Sequence, residues 1–297
     1  MNILIAGNSG HIGSFLYQEL LSIFSSPNNN IDGINTSILD LTSYSETERY
    51  LEKISYKWDL IIFLVGLAHH KGKKKDLESF KELNYHTLTN FFNALKKDGK
   101  LPEKIIFAST ISVYGEQMTI NKYDESIAPK PVSPYATTKL MTEEFLTNKY
   151  VSNSWILRFS PVYSSSFLLN IKRRTKIGSW FYRIGNGEAK LSLCNINNIK
   201  SAIEGIIYEK VPPGIYNVSD SLVYTFNDLL DWQSATNILH IPKMLIDWCH
   251  YFGKIIGNNF LIENSVKLIS DNVFPSDKIR SYVELPSVIN DVIFDND

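Results

Sequence analysis

With 297 residues, 44% of them hydrophobic and 21% charged, the chain is long enough to bury a sizeable core and to hold two domains. A formal net charge of −1 argues against a nucleic-acid partner, and no window reaches the ~20 apolar residues of a membrane span. Two cysteines, Cys194 and Cys249, are too few for a disulfide framework and lack metal-ligand spacing, so reduced thiols in a cytoplasmic protein, with no metal site, are expected.

Asn2 to Ala6 reads as a buried parallel strand, too short for a secretory leader. Gly7-Asn8-Ser9-Gly10-His11-Ile12-Gly13 follows. Ser14 to Phe24 then carries apolar residues at Phe15, Leu16, Leu20, Leu21 and Phe24, the spacing of a helix packed on a sheet. Strand, glycine turn and helix are the context of a dinucleotide fingerprint. Gly7 would make the tight turn. Gly10 would let the backbone approach a pyrophosphate at the helix N-terminus, and Gly13 would let the helix sit close to the strand. The glycines are spaced three and three, not the two and three of the common dehydrogenase fingerprint, and glycine turns also occur for structural reasons alone.

A second strand is predicted at Ile31 to Asn35. An acid commonly closes it to hold the adenosine ribose hydroxyls. Asn35 can hydrogen-bond a ribose but has no charge to repel a 2′-phosphate, and no Arg or Lys lies beside it to attract one. NAD is therefore the expected cofactor, with NADP left open. In Ile38-Leu39-Asp40-Leu41-Thr42, Asp40 can reach an adenine amino group. Equally, Asp40 or Thr42 can cap the helix predicted to run to about Lys53.

Trp58 to Leu67 is the strongest buried strand, and Gly66 near its end permits close approach of a ligand. Lys71, Lys73, Lys74 and Lys75 read as a solvated turn. Asp76 to Lys97 reads as one long helix, with Asn84 facing either the site or water. Lys104 to Ser109 is a strand, with Thr110 at its end. Ser133 is placed to cap a helix carrying Tyr135 and Lys139, which lie four residues apart on one face. A phenol with a pKa of about 10 is a poor base, and a nearby ammonium favours the phenolate. The pair would thus serve alcohol/ketone interconversion. Alone, the same spacing describes a solvated helix face.

Trp155 to Phe159 is a further strand. Beyond Ser164 the alternation is irregular. Ile199 to Tyr208 reads as a helix, Gly214 to Val218 as a strand and Phe226 to Trp232 as a helix. Ile241 to Ile256 is predicted to be a helix that is apolar nearly all round, expected to be a packed lid or core element. Contact with a membrane surface or lipid substrate is its alternative.

In order, the chain shows a strand, Gly-x-x-Gly-x-x-Gly, Leu-Asp-Leu-Thr, Ser-Thr-Ile-Ser-Val-Tyr-Gly, Ser-Pro-Tyr-Ala-Thr-Thr-Lys and Leu-Arg-Phe-Ser-Pro-Val-Tyr. This resembles the extended short-chain dehydrogenase/reductase superfamily, specifically its NAD-dependent nucleotide-sugar epimerase/dehydratase family. The resemblance covers Met1 to about Tyr163 closely and the remainder more loosely. It implies an α/β fold: a Rossmann-like doubly wound parallel sheet over 1–163, and a smaller C-terminal α/β substrate-binding domain over 164–297. The segment 199–218 can return to the first domain.

The resemblance makes Tyr135 the catalytic base and Lys139 its partner, which also binds the nicotinamide ribose. Thr110 holds the reacting sugar hydroxyl. Gly7, Ser9, Gly10, His11, Ile12 and Gly13 form the pyrophosphate loop, and Asp40 and Leu41 the adenine contact. Leu64, Val65, Gly66, Asn84 and Ser109 lie along the cofactor, with Phe159, Ser160 and Val162 beside the nicotinamide. Asn35 replaces a usual acid. Pro161, Ser164, Asn197 and Asn198 depart from common family residues on the substrate side.

The implied reaction is epimerisation of a nucleotide-diphosphate sugar, most directly at C4, through a transient keto sugar. A 4-ketoreductase is the alternative within the family. Dehydration is disfavoured because Ile111 and Ser112 stand where an acidic pair is usual. Arg173 and Arg174 either clamp a sugar diphosphate or form a solvated basic loop with Lys172 and Lys176. A non-catalytic dinucleotide sensor would have no need of Thr110, Tyr135 and Lys139 together. Family members are often dimers, and Leu140, Met141 and Phe145 are candidates for that contact or for the core.

Overall fold

Ile3, Leu4, Ile5 and Ala6 are fully buried because the first strand has a neighbour on each edge and is covered on both faces. The computed structural model describes residues 1–67, 77–115 and 120–294. The lysines at 71, 73, 74 and 75 lie outside them.

In chain order the strands and helices begin with β1 (Asn2–Ala6), α1 (His11–Ile23), β2 (Asn30–Ile34), α2 (Tyr44–Glu52) and β3 (Leu60–Phe63). Then come α3 (Leu77–Lys81), a π-helical turn (Glu82–His86), α4 (Thr87–Lys97), β4 (Lys104–Thr110), α5 (Pro134–Lys149) and β5 (Ser154–Phe159). The chain continues through β6 (Val162–Tyr163), α6 (Leu169–Thr175), β7 (Lys176–Ile177), β8 (Trp180–Ile184), β9 (Lys190–Leu191), β10 (Cys194–Asn195) and α7 (Ile196–Ile207). It closes with β11 (Gly214–Val218), β12 (Tyr224–Thr225), α8 (Phe226–Trp232), β13 (Leu239–Ile241), α9 (Lys243–Ile255), α10 (Asn259–Ile269) and α11 (Asp277–Arg280).

Six strands form one sheet in the order β11-β5-β4-β3-β1-β2. β1 runs parallel to both β2 and β3, and β3 runs parallel to β4. This is the expected Rossmann-like arrangement. Parallel neighbours need crossover helices, and α1, α2, α4 and α5 supply them.

The chain divides into two compact units. The first comprises Met1–Thr110, Pro134–Leu157 and Pro212–Ile215. Its core gathers Leu4, Phe63, Phe91, Phe92, Phe107 and Leu146, all fully buried, each contributing about 1.5–3 kcal/mol relative to exposure. Phe145 packs in this core, which decides its role, while Leu140 and Met141 are half-buried. The second unit comprises Ile111–Ser133, Arg158–Val211 and Tyr216–Asp297. Tyr163, Ile171, Leu193 and Leu229 anchor one of its clusters. Tyr182, Ile184 and Ile269 anchor another, in which β13, β8 and β7 form a three-stranded sheet.

The helix expected over 76–97 is helical throughout its described residues, 77–97, with a π-turn at Glu82–His86 inside it. Two sequence expectations are corrected. The cap of α2 is neither Asp40 nor Thr42 but Ser43, whose hydroxyl accepts from Glu46 N at 3.3 Å. The apolar helix α9 is not packed in a core. Trp248 is 70% and Ile255 82% exposed, and only His250 and Gly253 of the helix are buried. Its inner side is narrow because Gly253 lets α10 approach. A Cβ there would lie 2.9 Å from Leu261 Cβ. Among the described residues no helix is long and apolar enough to cross a membrane. Cys194 is buried and Cys249 exposed, and both are free thiols.

Candidate active site

The glycine turn is shaped by close packing. Gly7 takes φ +95°, a conformation that side chains rarely adopt, and its N–H donates to Ile34 O at 2.7 Å. Gly13 has no room for a side chain: a Cβ would sit 2.1 Å from Gly7 O and 3.0 Å from Asn8 Cα. Gly10 is the N-cap of α1 and exposed. No side chain caps this helix, and its first turn holds no acid. The positive end of the helix dipole therefore carries no acidic side chain in its first turn. Ser9 is exposed, while His11 and Ile12 are half-buried. Burial lowers the His11 pKa and favours a neutral ring.

Asn35 follows β2 and is engaged within its own loop. Its amide donates to Asn8 Oδ1 at 3.1 Å, and its oxygen accepts from Ser37 N at 3.0 Å and Ser37 Oγ at 2.5 Å. Asp40 is exposed, and its carboxylate accepts from Thr42 N at 2.9 Å and Thr42 Oγ1 at 2.7 Å, which holds its pKa low. Leu41 is buried. Asn90 of α4 fixes the adjoining backbone through Thr42 O at 3.0 Å.

Leu64, Val65 and Gly66 follow β3, with Leu64 N donating to Ala6 O at 2.8 Å. Asn84 lies on the π-turn and is completely buried. Its Oδ1 accepts from Leu67 N at 2.7 Å, its Nδ2 donates to Thr138 Oγ1 at 3.2 Å, and its carbonyl accepts from Thr142 Oγ1 at 3.2 Å. The asparagine thus ties the end of β3 to α5. A π-turn widens the helix locally and is frequent at functional sites. A Cβ on Gly66 would stand 2.9 Å from Lys139 Nζ and 3.2 Å from Asn84 Oδ1, so these side chains would have to shift to admit one.

The reactive set lies on the end of β4 and one face of α5. Thr110 and Tyr135 share a side-chain hydrogen bond. Lys139 is buried, donates to Ala108 O at 2.9 Å and lies 4.6 Å from the Phe107 ring centroid. Burial lowers its pKa to about 8, and the Glu143 carboxylate opposes that shift. Tyr135 departs from the sequence expectation. Its pKa is pushed up to about 12, because desolvation of a phenolate outweighs the opposing hydrogen bond from Thr110. The protein alone therefore holds a neutral phenol.

Glu143 was missed in the sequence. It is buried, and its carboxylate accepts from the Ser109 hydroxyl. Its signal was available as the third member of the series Tyr135, Lys139, Glu143, spaced by fours on one helix face.

In the second unit, Phe159 and Val162 are buried, and Asn170 Nδ2 donates to Val162 O at 2.8 Å. Ser160 is also buried. Its N–H donates to Val218 O at 3.1 Å, but its Oγ has no hydrogen-bond partner. The two arginines part company. Arg173 is exposed, whereas Arg174 is half-buried and donates to Asn170 O at 2.7 Å. Arg174 lines a small concavity with Pro161, Ser192, Lys267 and Asn272, and Asn272 Oδ1 is buried without a partner. Asn198 is structural: it donates to Asp220 Oδ1 at 2.9 Å and to Ser287 O at 2.7 Å.

A parallel sheet opened by a glycine turn, with no N-cap side chain on its first helix, is a Rossmann-like architecture. The chain belongs to the NAD dependent epimerase/dehydratase family, whose family model matches residues 3–219. It is 31% identical over 183 residues to a UDP-glucose 4-epimerase of Yersinia pestis, an alignment covering 54% of each chain. The chain thus spans about half the length of this curated relative.

Among solved structures it resembles UDP-glucuronic acid 4-epimerase from Bacillus cereus in complex with NAD. The TM-score is 0.66 at 18% identity, over 97% of this chain and 92% of that one. It also resembles dTDP-4-dehydrorhamnose reductase from Bacillus anthracis str. Ames in complex with NADP. There the TM-score is 0.64 at 20% identity, over 81% and 84%. At these identities the likeness is one of fold.

Proposed function

We propose that the chain is an NAD-dependent nucleotide-sugar epimerase that works through a transient keto sugar, with C4 as the reacting carbon. The observation that carries this reading is the hydrogen bond between Thr110 and Tyr135, with buried Lys139 one helical turn on. The residues present fit a dinucleotide. No side chain of the N-cap residue caps α1, and Gly10 leaves the turn open. Gly10 and its neighbours through Gly13 would hold the pyrophosphate, Asp40 and Leu41 the adenine end, and Lys139 the nicotinamide ribose. The bound nicotinamide supplies a hydride acceptor that later serves as donor.

Tyr135 first loses its own proton to solvent, an ionisation that the Lys139 ammonium favours; the phenolate then takes the proton of the sugar hydroxyl as that carbon is oxidised and returns it as the carbonyl is reduced. Thr110 holds the same oxygen and orients the phenol. Lys139, still largely protonated at neutral pH with a pKa of about 8, favours the phenolate as it forms. Ile111, buried and apolar, and Ser112 provide no acid for elimination of water.

A nucleotide-sugar 4-ketoreductase is the second reading, favoured by the uncharged Asn35, which does not repel a 2′-phosphate. The deciding experiment releases any bound cofactor by denaturation and screens UDP-, GDP- and dTDP-sugars for isomerisation by NMR. Interconversion without added reductant supports the epimerase. Turnover only with a keto sugar and added NAD(P)H supports the reductase. Unchanged turnover in Tyr135→Phe would sink both.

A further inference from the structure

The face that α9 turns to solvent is the wrong one for a soluble helix. Met244, Leu245, Trp248, Tyr251, Phe252 and Ile255 fall at the spacing of a single stripe, and each is more than half exposed. The opposite side is already occupied. Gly253 packs against α10, and His250 Nδ1 lies 3.1 Å from Ser265 Oγ. The stripe is therefore not a core face awaiting a small adjustment. The three-stranded sheet that leads into α9 adds to it. Ile177 and Trp180 flank the β7–β8 turn, Leu239 opens β13, and all three are more than half exposed. Isolated apolar residues on a surface need no explanation, but an outward helix stripe beside an outward hairpin does.

The charge around this surface selects its occupant. The β7–β8 hairpin itself, 176–184, carries Lys176 and Arg183 and no acid. On α9, Lys243 and Lys254 flank the stripe, and Lys243 is paired with Asp247 at 2.8 Å. A second copy docking through a two-fold axis would set this cationic segment against itself. An anionic bilayer surface complements it. The residue types also match that boundary: Trp and Tyr suit the headgroup level, with Leu, Ile and Phe deeper and Lys reaching back to phosphate.

We propose that the outer face of α9, with the β7–β8 hairpin, seats the protein on an anionic lipid surface as a monotopic contact. The proposal is independent of the catalytic reading, since none of these side chains belongs to the candidate active site.

The test is flotation of the full chain with vesicles of phosphatidylcholine alone and of phosphatidylcholine mixed in equal parts with phosphatidylglycerol. Binding to the anionic vesicles, weakened by salt, is expected. Trp248→Glu, and separately Trp180→Glu on the hairpin, should each lower partitioning by about tenfold or more while circular dichroism stays native. Two substitutions on different elements guard against misfolding of either. Failure to float with anionic vesicles at low salt overturns the proposal, as does equal binding by both folded variants. A dimer dispersed by Trp248→Glu in a protein that ignores vesicles would assign the face to a second copy.

Discussion

The Ser109 hydroxyl donates to the buried Glu143 carboxylate, one helical turn beyond Lys139 on α5. Glu143 thus sits under the end of β4 and electrostatically favours the Lys139 ammonium. If Lys139 must be charged for turnover, activity falls as pH rises through its pKa of about 8. Glu143→Gln removes the favourable charge, so Lys139 loses its proton at lower pH. The alkaline limb of kcat/KM should then move to lower pH. An unmoved limb in a folded variant would refute the positioning role.

Tyr135→Phe should leave the fold intact and lower kcat by about 10²–10⁴-fold, the usual range for a positioned acid–base group. Thr110→Val should act in the same direction by a smaller factor, because it removes the hydrogen bond that opposes the upward shift of Tyr135. NMR of sugar isomerisation measures both, with thermal melts as the folding control.

The glycines of the first βα unit make a graded stability prediction. Gly13→Ala puts a methyl 2.1 Å from Gly7 O, a backbone atom that cannot yield, and should cost about 1–3 kcal/mol or displace α1. Gly33→Ala meets Asn8 Nδ2 at the same 2.1 Å, but that amide can swing aside. Its cost should be nearer 1 kcal/mol, from the lost bond between Asn8 and Asn35. Urea unfolding of the two variants checks the order. Equal midpoints would contradict it.

Asp220 provides a pH signature of the second unit. Its carboxylate accepts from Tyr163 Oη at 2.6 Å, Tyr224 Oη at 2.9 Å, Asn195 N at 2.6 Å and Asn198 Nδ2 at 2.9 Å. Burial outweighs these bonds and raises its pKa to about 6. A raised acid binds more protons folded than unfolded. Its contribution is therefore fully present below about pH 4 and lost as pH rises through about 6, by at most about 3 kcal/mol. In Asp220→Asn that slope should disappear from denaturant midpoints measured across the window. Persistence of the slope would assign it to other groups.

The first βα unit was legible because its signals are local. A continuous apolar run makes a central parallel strand, and glycines mark where backbone must approach backbone. The Tyr135 face of α5 was harder, since its buried residues include Thr138, Lys139, Thr142 and Glu143, which no apolar stripe announces. The π-turn at Asn84 has no periodic signal. It is held by bonds to Leu67 and Thr138, which are far away in sequence. β7, β9, β10 and β12 are two-residue pairings, too short for alternation to register. For α9 the apolar composition was read correctly, but composition does not say which side of a helix meets a neighbour.

The first unit draws on three separated stretches of chain, ending with Pro212–Ile215 at the start of β11. During synthesis, the ribosome must pass Gly214 before the sheet receives β11, the edge strand beside β5. No contiguous amino-terminal fragment contains all of that unit without also carrying part of the other. The two units are therefore interleaved in translation order. Co-translational completion of the parallel sheet waits on residues well beyond Lys139, so the segment carrying Thr110, Tyr135 and Lys139 is synthesised long before the sheet is finished.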